Sequence, residues 1–174
     1  FGSSSLACHC RVMAAVGAAG DGVAARIAAV NGAYAGVWAD FLRNRLDKAE
    51  ERAAALLRVL DLVPHARKDA ELWAAEADFC YIAGAARGGE VSLLEQALTC
   101  YGRSLNLCDA NAGARRMRAE ALLRLRRYGQ AFEAFSALAN RHPAAFGELE
   151  VAPFRLRHDA CLCERLASLG RLGA

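Results

Sequence analysis

The chain has 174 residues, of which 55% are hydrophobic and 24% charged, and its formal net charge is +3. This balance is typical of a one-domain globular protein, and it excludes a chain that is disordered over most of its length. The small net charge argues against a general nucleic-acid binder. Charges such as Asp40, Arg43 and Asp61 interrupt every apolar stretch before it reaches the length of a membrane span.

Helices are the only regular elements that the sequence predicts. Alanine is abundant, prolines number three, and no segment alternates β-branched or aromatic residues with polar ones. We therefore expect an all-α fold. Residues 23–174 are predicted to form a single helical domain.

Residues 1–22 predict a flexible leader that is rich in Ala, Gly and Ser. The first 39 residues hold only Asp21 as an acid, which loosely suits a transit peptide and equally suits a low-complexity linker. The chain opens at Phe1 and closes with LGRLGA, so we expect a processed protein or a piece of a longer one.

Residues 23–64 predict a helical unit whose internal boundary is poorly marked. No Gly or Pro occurs between Val37 and Val63, which favours either one long helix or a poorly divided pair of helices. We expect the chain to enter this helix near Asn31 and Gly32.

Two later segments repeat each other at a distance of 34 residues. They are ALTCYGRSLNLCD (97–109) and AFEAFSALANRHP (131–143). A small residue lets a paired helix approach closely, an aromatic residue one turn later fills the seam, and proline ends the helix. The residues that occupy these positions are Ala97, Tyr101, Ala131, Phe135 and Pro143. The offset predicts one unit over 65–109 and a second unit over 110–143.

Residues 144–174 predict a loop followed by a capping helix. After Pro153, the residues Leu156, Ala160, Cys163, Leu166 and Leu169 form an apolar stripe at helical spacing, and Gly170 is expected to end the helix.

The repeating pattern resembles the tetratricopeptide repeat (TPR) over about residues 55–143. In this resemblance the packing positions of the first helices fall on Trp73, Ala77 and Ala119, Gly84 is the turn glycine, and residues 85–92 are an insertion before Ala97. The resemblance implies antiparallel helix-turn-helix repeats, stacked as a short TPR-like solenoid with a C-terminal capping helix. Glu76 and Arg118 depart from it, because the family prefers leucine there.

A thinner resemblance concerns the TPR core of subunit 2 of the ER membrane protein complex. The segments LWAAEADFCY and MRAEALL are similar to that core, with several gaps between them.

The segment RRMRAEALLRLRRY (115–128) carries six arginines in fourteen positions. A helical register places Met117, Ala121, Leu122, Leu125 and Tyr128 on one buried stripe, and Arg116, Glu120, Leu123, Arg124 and Arg127 on the opposite side. In TPR proteins that side lines a concave groove. The resemblance therefore implies a partner-binding groove formed by Glu71, Asp78, Tyr81, Arg116, Glu120, Arg124 and Arg127.

Three interpretations of the arginines stay open: a solvated face, a groove for an acidic or carboxylate-bearing peptide, and a nucleic-acid site. Nucleic acid ranks last, because single-strand readers interleave basic residues with several stacking aromatics. The chaperone clamp of some TPR proteins needs Lys and Asn where this chain has Arg116, Glu120, Ala74 and Asp78. For Arg118 we expect an ion pair with Glu76 of the preceding unit; the alternative is that it buries its stem and extends its charged end to the rim.

Catalytic and metal chemistry have little support in the sequence. No phosphate loop, nucleophile motif or carboxylate pair occurs, so we expect no enzyme and no cofactor. Cys8, Cys10, His158 and Cys161 are weak zinc candidates, since Cys-x-Cys is tighter than the usual ligand spacing. Cys80, Cys100 and Cys108 lie in helical patterns as small apolar residues, and we expect an intracellular, reducing compartment.

The sequence thus predicts a non-enzymatic adaptor or scaffold subunit that binds a protein partner through a mixed-charge groove, within a larger assembly. The alternative is that it is the interaction module of a longer enzyme. Nucleic-acid binding through the Arg-rich helix is the third possibility.

Overall fold

The computed structural model describes residues 22–141 and 153–172, and within these ranges every regular element is helical. The α-helices are α1 (Gly22–Leu42), α2 (Leu46–Asp61), α3 (Ala70–Ala86), α4 (Val91–Leu107), α5 (Ala112–Arg124), α6 (Tyr128–Arg141) and α7 (Pro153–Leu172), and His65–Arg67 forms one turn of 3-10 helix. The all-α prediction is confirmed.

Each helix packs against the next one along the chain. In addition, α1 contacts α3 and α3 contacts α5, so these three helices lie side by side in one layer. Short turns join α1 to α2, α3 to α4 and α5 to α6, which makes three helical hairpins stacked in chain order. The predicted arrangement of stacked helix-turn-helix units is therefore confirmed, and it leaves one surface of α1, α3 and α5 facing away from their partners.

The boundary between α1 and α2 is sharper than the sequence indicates. α1 begins at Gly22 and runs through Asn31 and Gly32, so the prediction that the helix is entered there is wrong. Buried Val30 and Val37 hold this helix to the core, and a glycine is tolerated at exposed position 32. Asn44 then adopts a φ of +57°, a left-handed conformation that asparagine reaches more easily than most residues, and this separates α2.

The turn between α3 and α4 lies later than predicted. Gly84 stays inside α3, and its carbonyl accepts hydrogen bonds from the backbone N–H groups of Gly89 and Glu90, both at 2.9 Å. Gly88 and Gly89 form the turn itself with φ values of +72° and +94°. A Cβ at Gly84 would lie 3.1 Å from the Cβ of Leu93, so this glycine is needed for the close approach of α4. Residues 85–92 form the end of α3, the turn and the start of α4.

The core consists of two clusters that meet around α5. The larger one includes Tyr101 and Phe79 and spans α1 to α5, and the smaller one surrounds Phe135 between α5, α6 and α7. All the predicted packing residues that the structure describes are buried: Trp73, Ala77, Ala97, Tyr101, Ala119, Ala131 and Phe135. Pro143 lies outside the described residues.

The capping helix α7 covers the stack with only part of its predicted stripe. Leu156, Ala160 and Cys163 are buried, whereas Leu169 is 58% exposed. α7 also continues through Gly170 to Leu172, so the predicted helix end is wrong by two residues.

The predicted leader falls on residues that the structure does not describe, except for Gly22, which begins α1. Cys108 directly follows α4 and is exposed, whereas Cys80 and Cys100 are buried as predicted. Within residues 22–141 and 153–172, every helix is too short or too polar to cross a membrane.

Candidate functional site

A groove of about 330 Å³ crosses the free surface of α1, α3 and α5. We call it the α1–α3–α5 groove. Its walls carry aromatic side chains from α1, acidic side chains from α3, and small or flexible side chains from α3 and α5. These residues are Tyr34, Trp38, Glu71, Asp78, Ala74, Ala75, Gly113, Ala114 and Met117, with Asn31 and Asn111 at the edge.

Helical spacing and helix caps position these side chains. Tyr34 and Trp38 are one turn apart and therefore share a face of α1. The side chain of Asn111 accepts a hydrogen bond from the N–H of Ala114 at 2.9 Å and so fixes the start of α5 at the groove. At the corresponding start of α3, Asp69 accepts from the N–H of Leu72 at 2.8 Å.

Asp78 lies at the floor of the groove and is 6% exposed. Its two carboxylate oxygens accept hydrogen bonds from the hydroxyls of Tyr34 and Tyr101, each at 2.5 Å. Burial raises the pKa of Asp78 to about 6, although hydrogen bonds from Tyr101, Tyr34 and Trp38 act in the opposite direction. Burial and the negative charge of Asp78 likewise raise the pKa values of Tyr34 and Tyr101, so both hydroxyls stay protonated donors.

The carboxylate of Asp78 has neutral partners only. Among the described residues, no Lys, Arg or His nitrogen lies within 4.0 Å of it. Glu71, two helical turns before Asp78 on the same face of α3, is exposed at the rim of the same groove. The groove therefore presents negative charge beside aromatic rings.

Beyond Trp38 the aromatic surface continues along α1 and α3 to an arginine. The rings of Trp38 and Phe41 lie 5.9 Å apart, and those of Phe41 and Tyr81 lie 6.2 Å apart. Arg124 donates from Nε to the Tyr81 hydroxyl at 2.8 Å, and its guanidinium lies 5.2 Å from the Tyr81 ring centre. Burial raises the pKa of Tyr81, while the hydrogen bond from Arg124 lowers it.

Arg116 is held between α5 and α7 instead of facing an open wall. Its Nη1 lies 2.8 Å from Asp159 of α7, its Nη2 lies 2.7 Å from Glu120, and its guanidinium lies 5.0 Å from the ring centre of Phe135. The side chain is only 14% exposed. Arg116 therefore fastens the capping helix to the stack.

The other arginines of the cluster also separate. Arg127 forms an exposed ion pair with Glu95 of α4, and Arg115 pairs with Asp109. Arg126 is exposed in the turn after α5 with a φ of +58°. The predicted groove set is thus brought together in part: Glu71 and Asp78 line the groove, Tyr81 and Arg124 continue it, Arg116 and Glu120 face α7, and Arg127 lies against α4.

The predicted ion pair between Arg118 and Glu76 is wrong. Glu76 pairs with Lys68, whose Nζ lies 2.5 Å from the carboxylate, and both side chains are buried. Lys68 itself follows the 3-10 turn with an extended backbone. Arg118 is exposed beside a small hollow of about 100 Å³ that Leu105 also lines.

Sequence reasoning missed the aromatic wall. Tyr34 and Trp38 belong to the unit whose helix boundaries were not visible, so their face could not be assigned. Met117 was placed on a buried stripe, but it is half-buried and lines the groove. The available signal was two aromatic residues one turn apart in a segment otherwise rich in Ala and Gly.

The zinc candidates do not form a site in the described part of the chain. His158 and Cys161 are both exposed on α7, and no group of three or more His, Cys, Asp or Glu residues with metal-binding geometry occurs among the described residues. Cys8 and Cys10 lie outside those residues.

Comparisons with protein-family models, with curated proteins and with solved structures found no match to this chain. The resemblances to TPR proteins and to the ER membrane protein complex subunit therefore depend on the quoted residues alone, and what they imply about function stays a prediction.

Proposed function

We propose that this protein is a non-enzymatic helical-repeat scaffold or adaptor, similar in design to TPR proteins, that holds a segment of a partner protein in the α1–α3–α5 groove. The observation that supports this most directly is the groove itself. Three helices of one layer contribute to it, and Tyr34, Trp38 and Met117 line it. Aromatic residues and methionine are the types most enriched at the centres of protein interfaces.

The proposed groove has only acidic charges among its lining residues, unlike the mixed-charge groove expected from the sequence. Most arginines of α5 and of the turn after it are engaged with other groups of this chain, through Asp159, Glu120, Tyr81, Glu95 and Asp109. These contacts support a structural role for the arginines. They also remove the observation that favoured nucleic acid, so no nucleic-acid function is proposed.

Site-specific photo-crosslinking tests the proposal. A photoreactive amino acid replaces exposed Glu71 at the groove, and in a matched variant it replaces exposed Glu133 on α6, outside the groove. In extracts of the native source we expect a discrete crosslinked partner from position 71 and none from position 133. Equal crosslinking from the two positions would contradict the groove assignment.

A groove-filling substitution provides the second arm. Gly113 is exposed at the edge of the groove, and a Cβ there meets only the side chain of Asn111, at 3.4 Å. Gly113→Phe is therefore expected to preserve the fold while it blocks the groove, and to abolish the crosslink from position 71. A crosslink that persists with an unchanged yield would show that the partner binds elsewhere.

A further inference from the structure

The groove has an unbalanced negative charge at its floor. Asp78 is 6% exposed and its described partners are the hydroxyls of Tyr34 and Tyr101 and the side chain of Trp38, which are all neutral and leave its charge uncompensated. Buried carboxylates are normally paired with a cation, because an ion that leaves water without one is strongly destabilised. A carboxylate has about four acceptor sites, so Asp78 can still accept a hydrogen bond beyond those from Tyr34, Tyr101 and Trp38.

The surroundings of Asp78 are suited to a positive ligand. Tyr34 and Trp38 form one wall of the same cavity, and the faces of aromatic rings attract cations. Glu71 adds a second acid at the rim, and all other residues that line the groove are uncharged. A cation in this cavity would therefore meet an aromatic wall and two carboxylates, with no like charge among the lining residues.

We propose that the partner segment inserts a cationic side chain, that of arginine or lysine, into the α1–α3–α5 groove, against the aromatic wall of Tyr34 and Trp38 and above the carboxylate of Asp78. This specificity rests on the proposed function and names the chemistry of its ligand. Arginine fits best, because its planar guanidinium stacks on aromatic rings and donates several hydrogen bonds in fixed directions. Glu71 attracts the cation at the entrance.

Nuclear magnetic resonance of the indole N–H groups tests this in the whole chain. The probe is N-acetyl-arginine amide, and its neutral control is N-acetyl-citrulline amide, which has nearly the same shape without the charge. Trp38 reports on the groove. Trp73, buried beside Lys68 and Arg103 and outside the groove, is the internal reference. We expect the arginine probe to shift the Trp38 signal saturably, the lysine analogue to do so more weakly, and citrulline to have little effect.

Three variants assign the effect to the floor of the groove. Asp78→Asn keeps the shape and removes the charge, so binding of the arginine probe should weaken by about tenfold or more. Glu71→Gln should weaken it less, and Glu133→Gln, which removes an equal charge from exposed α6, should leave it unchanged. An unchanged Trp73 signal in each variant shows that the fold is intact.

Equal shifts with citrulline, or undiminished binding to Asp78→Asn, would overturn the cation proposal. Those results would leave the proposed function intact if the crosslink from position 71 persists, since a neutral partner segment would then occupy the groove. Loss of that crosslink specificity would overturn the proposed function instead.

Discussion

Replacing Asp78 with asparagine should stabilise the protein at neutral pH, although the carboxylate makes two short hydrogen bonds. Burial raises the pKa of this group from 3.8 to about 6. At pH values between these two pKa values, the folded state binds more protons than the unfolded state. The free energy of unfolding therefore falls as the pH rises from about 4 to about 6. Above that range the ionised carboxylate destabilises the folded protein by a constant amount.

The magnitude follows from the same shift. A tenfold change in proton affinity corresponds to about 1.4 kcal/mol, so the ionised form of Asp78 destabilises the fold by ~3 kcal/mol at pH 7. Asparagine retains one acceptor oxygen, and its amide can donate to one tyrosine hydroxyl, so part of the hydrogen bonding survives. We expect Asp78→Asn to raise the free energy of unfolding by about 1–3 kcal/mol at pH 7.

Urea denaturation followed by circular dichroism measures this difference at pH 7 and pH 4. At pH 4 the folded wild type already carries the proton on Asp78, so the advantage of the variant should shrink to about 1 kcal/mol or less. Glu133→Gln, at an exposed position, should change stability by no more than about 0.5 kcal/mol at either pH. If Asp78→Asn destabilises the protein equally at both pH values, the carboxylate is a net stabilising hydrogen-bond acceptor and the argument from burial is refuted.

Three further predictions concern the described packing. Glu76→Gln should lower the free energy of unfolding by about 3–5 kcal/mol in urea titrations, because it leaves buried Lys68 without its charged partner. The double variant Lys68→Met, Glu76→Leu should lower it much less. Equal losses in the two variants would contradict this prediction. Gly84→Ala should destabilise the protein by about 1–3 kcal/mol, because the added methyl group contacts α4. Gly32→Ala, where the added methyl group meets open space, should stabilise the protein by about 0.5–1 kcal/mol. Thermal melts that rank the two variants in the opposite order would refute the close approach of α4 to Gly84. Arg116→Gln should speed amide hydrogen exchange in α7 more than in α3, because Arg116 joins α5 to α7. Equal acceleration of exchange in both helices would count against that role.

The all-α fold was predictable because the 34-residue repetition and the scarcity of helix breakers act locally. Ala97 and Ala131 need no partner information to be assigned to tight helix contacts, and both are buried. The turn at Asn44 was not predictable from the absence of Gly and Pro, because a single asparagine in the left-handed region divides the helices. Helix boundaries of this kind depend on one backbone angle.

The candidate site was less predictable, because its charges are arranged by contacts between distant residues. A helical register can place Arg116 on a face of α5, but it cannot show that Asp159, 43 residues later, occupies that guanidinium. Likewise, Arg118 occupies the position equivalent to Glu76 in the next predicted unit, which suggested an ion pair between them. In the structure Glu76 pairs with Lys68 instead, which is closer in sequence and lies in an irregular segment. Sequence periodicity thus predicted the packing of the helices and left the charge pairing undetermined.

The two hydrophobic clusters hold different groups of helices together, so helices within one group are coupled more strongly to each other than to the other group. The groove is built on the α1–α5 cluster, whereas α6 and α7 are held by the cluster around Phe135 and by Arg116. Units with separate cores open with separate free energies, and a ligand protects only the unit that it bridges. A bound segment would therefore protect α1 to α5 against local opening more than α6 and α7.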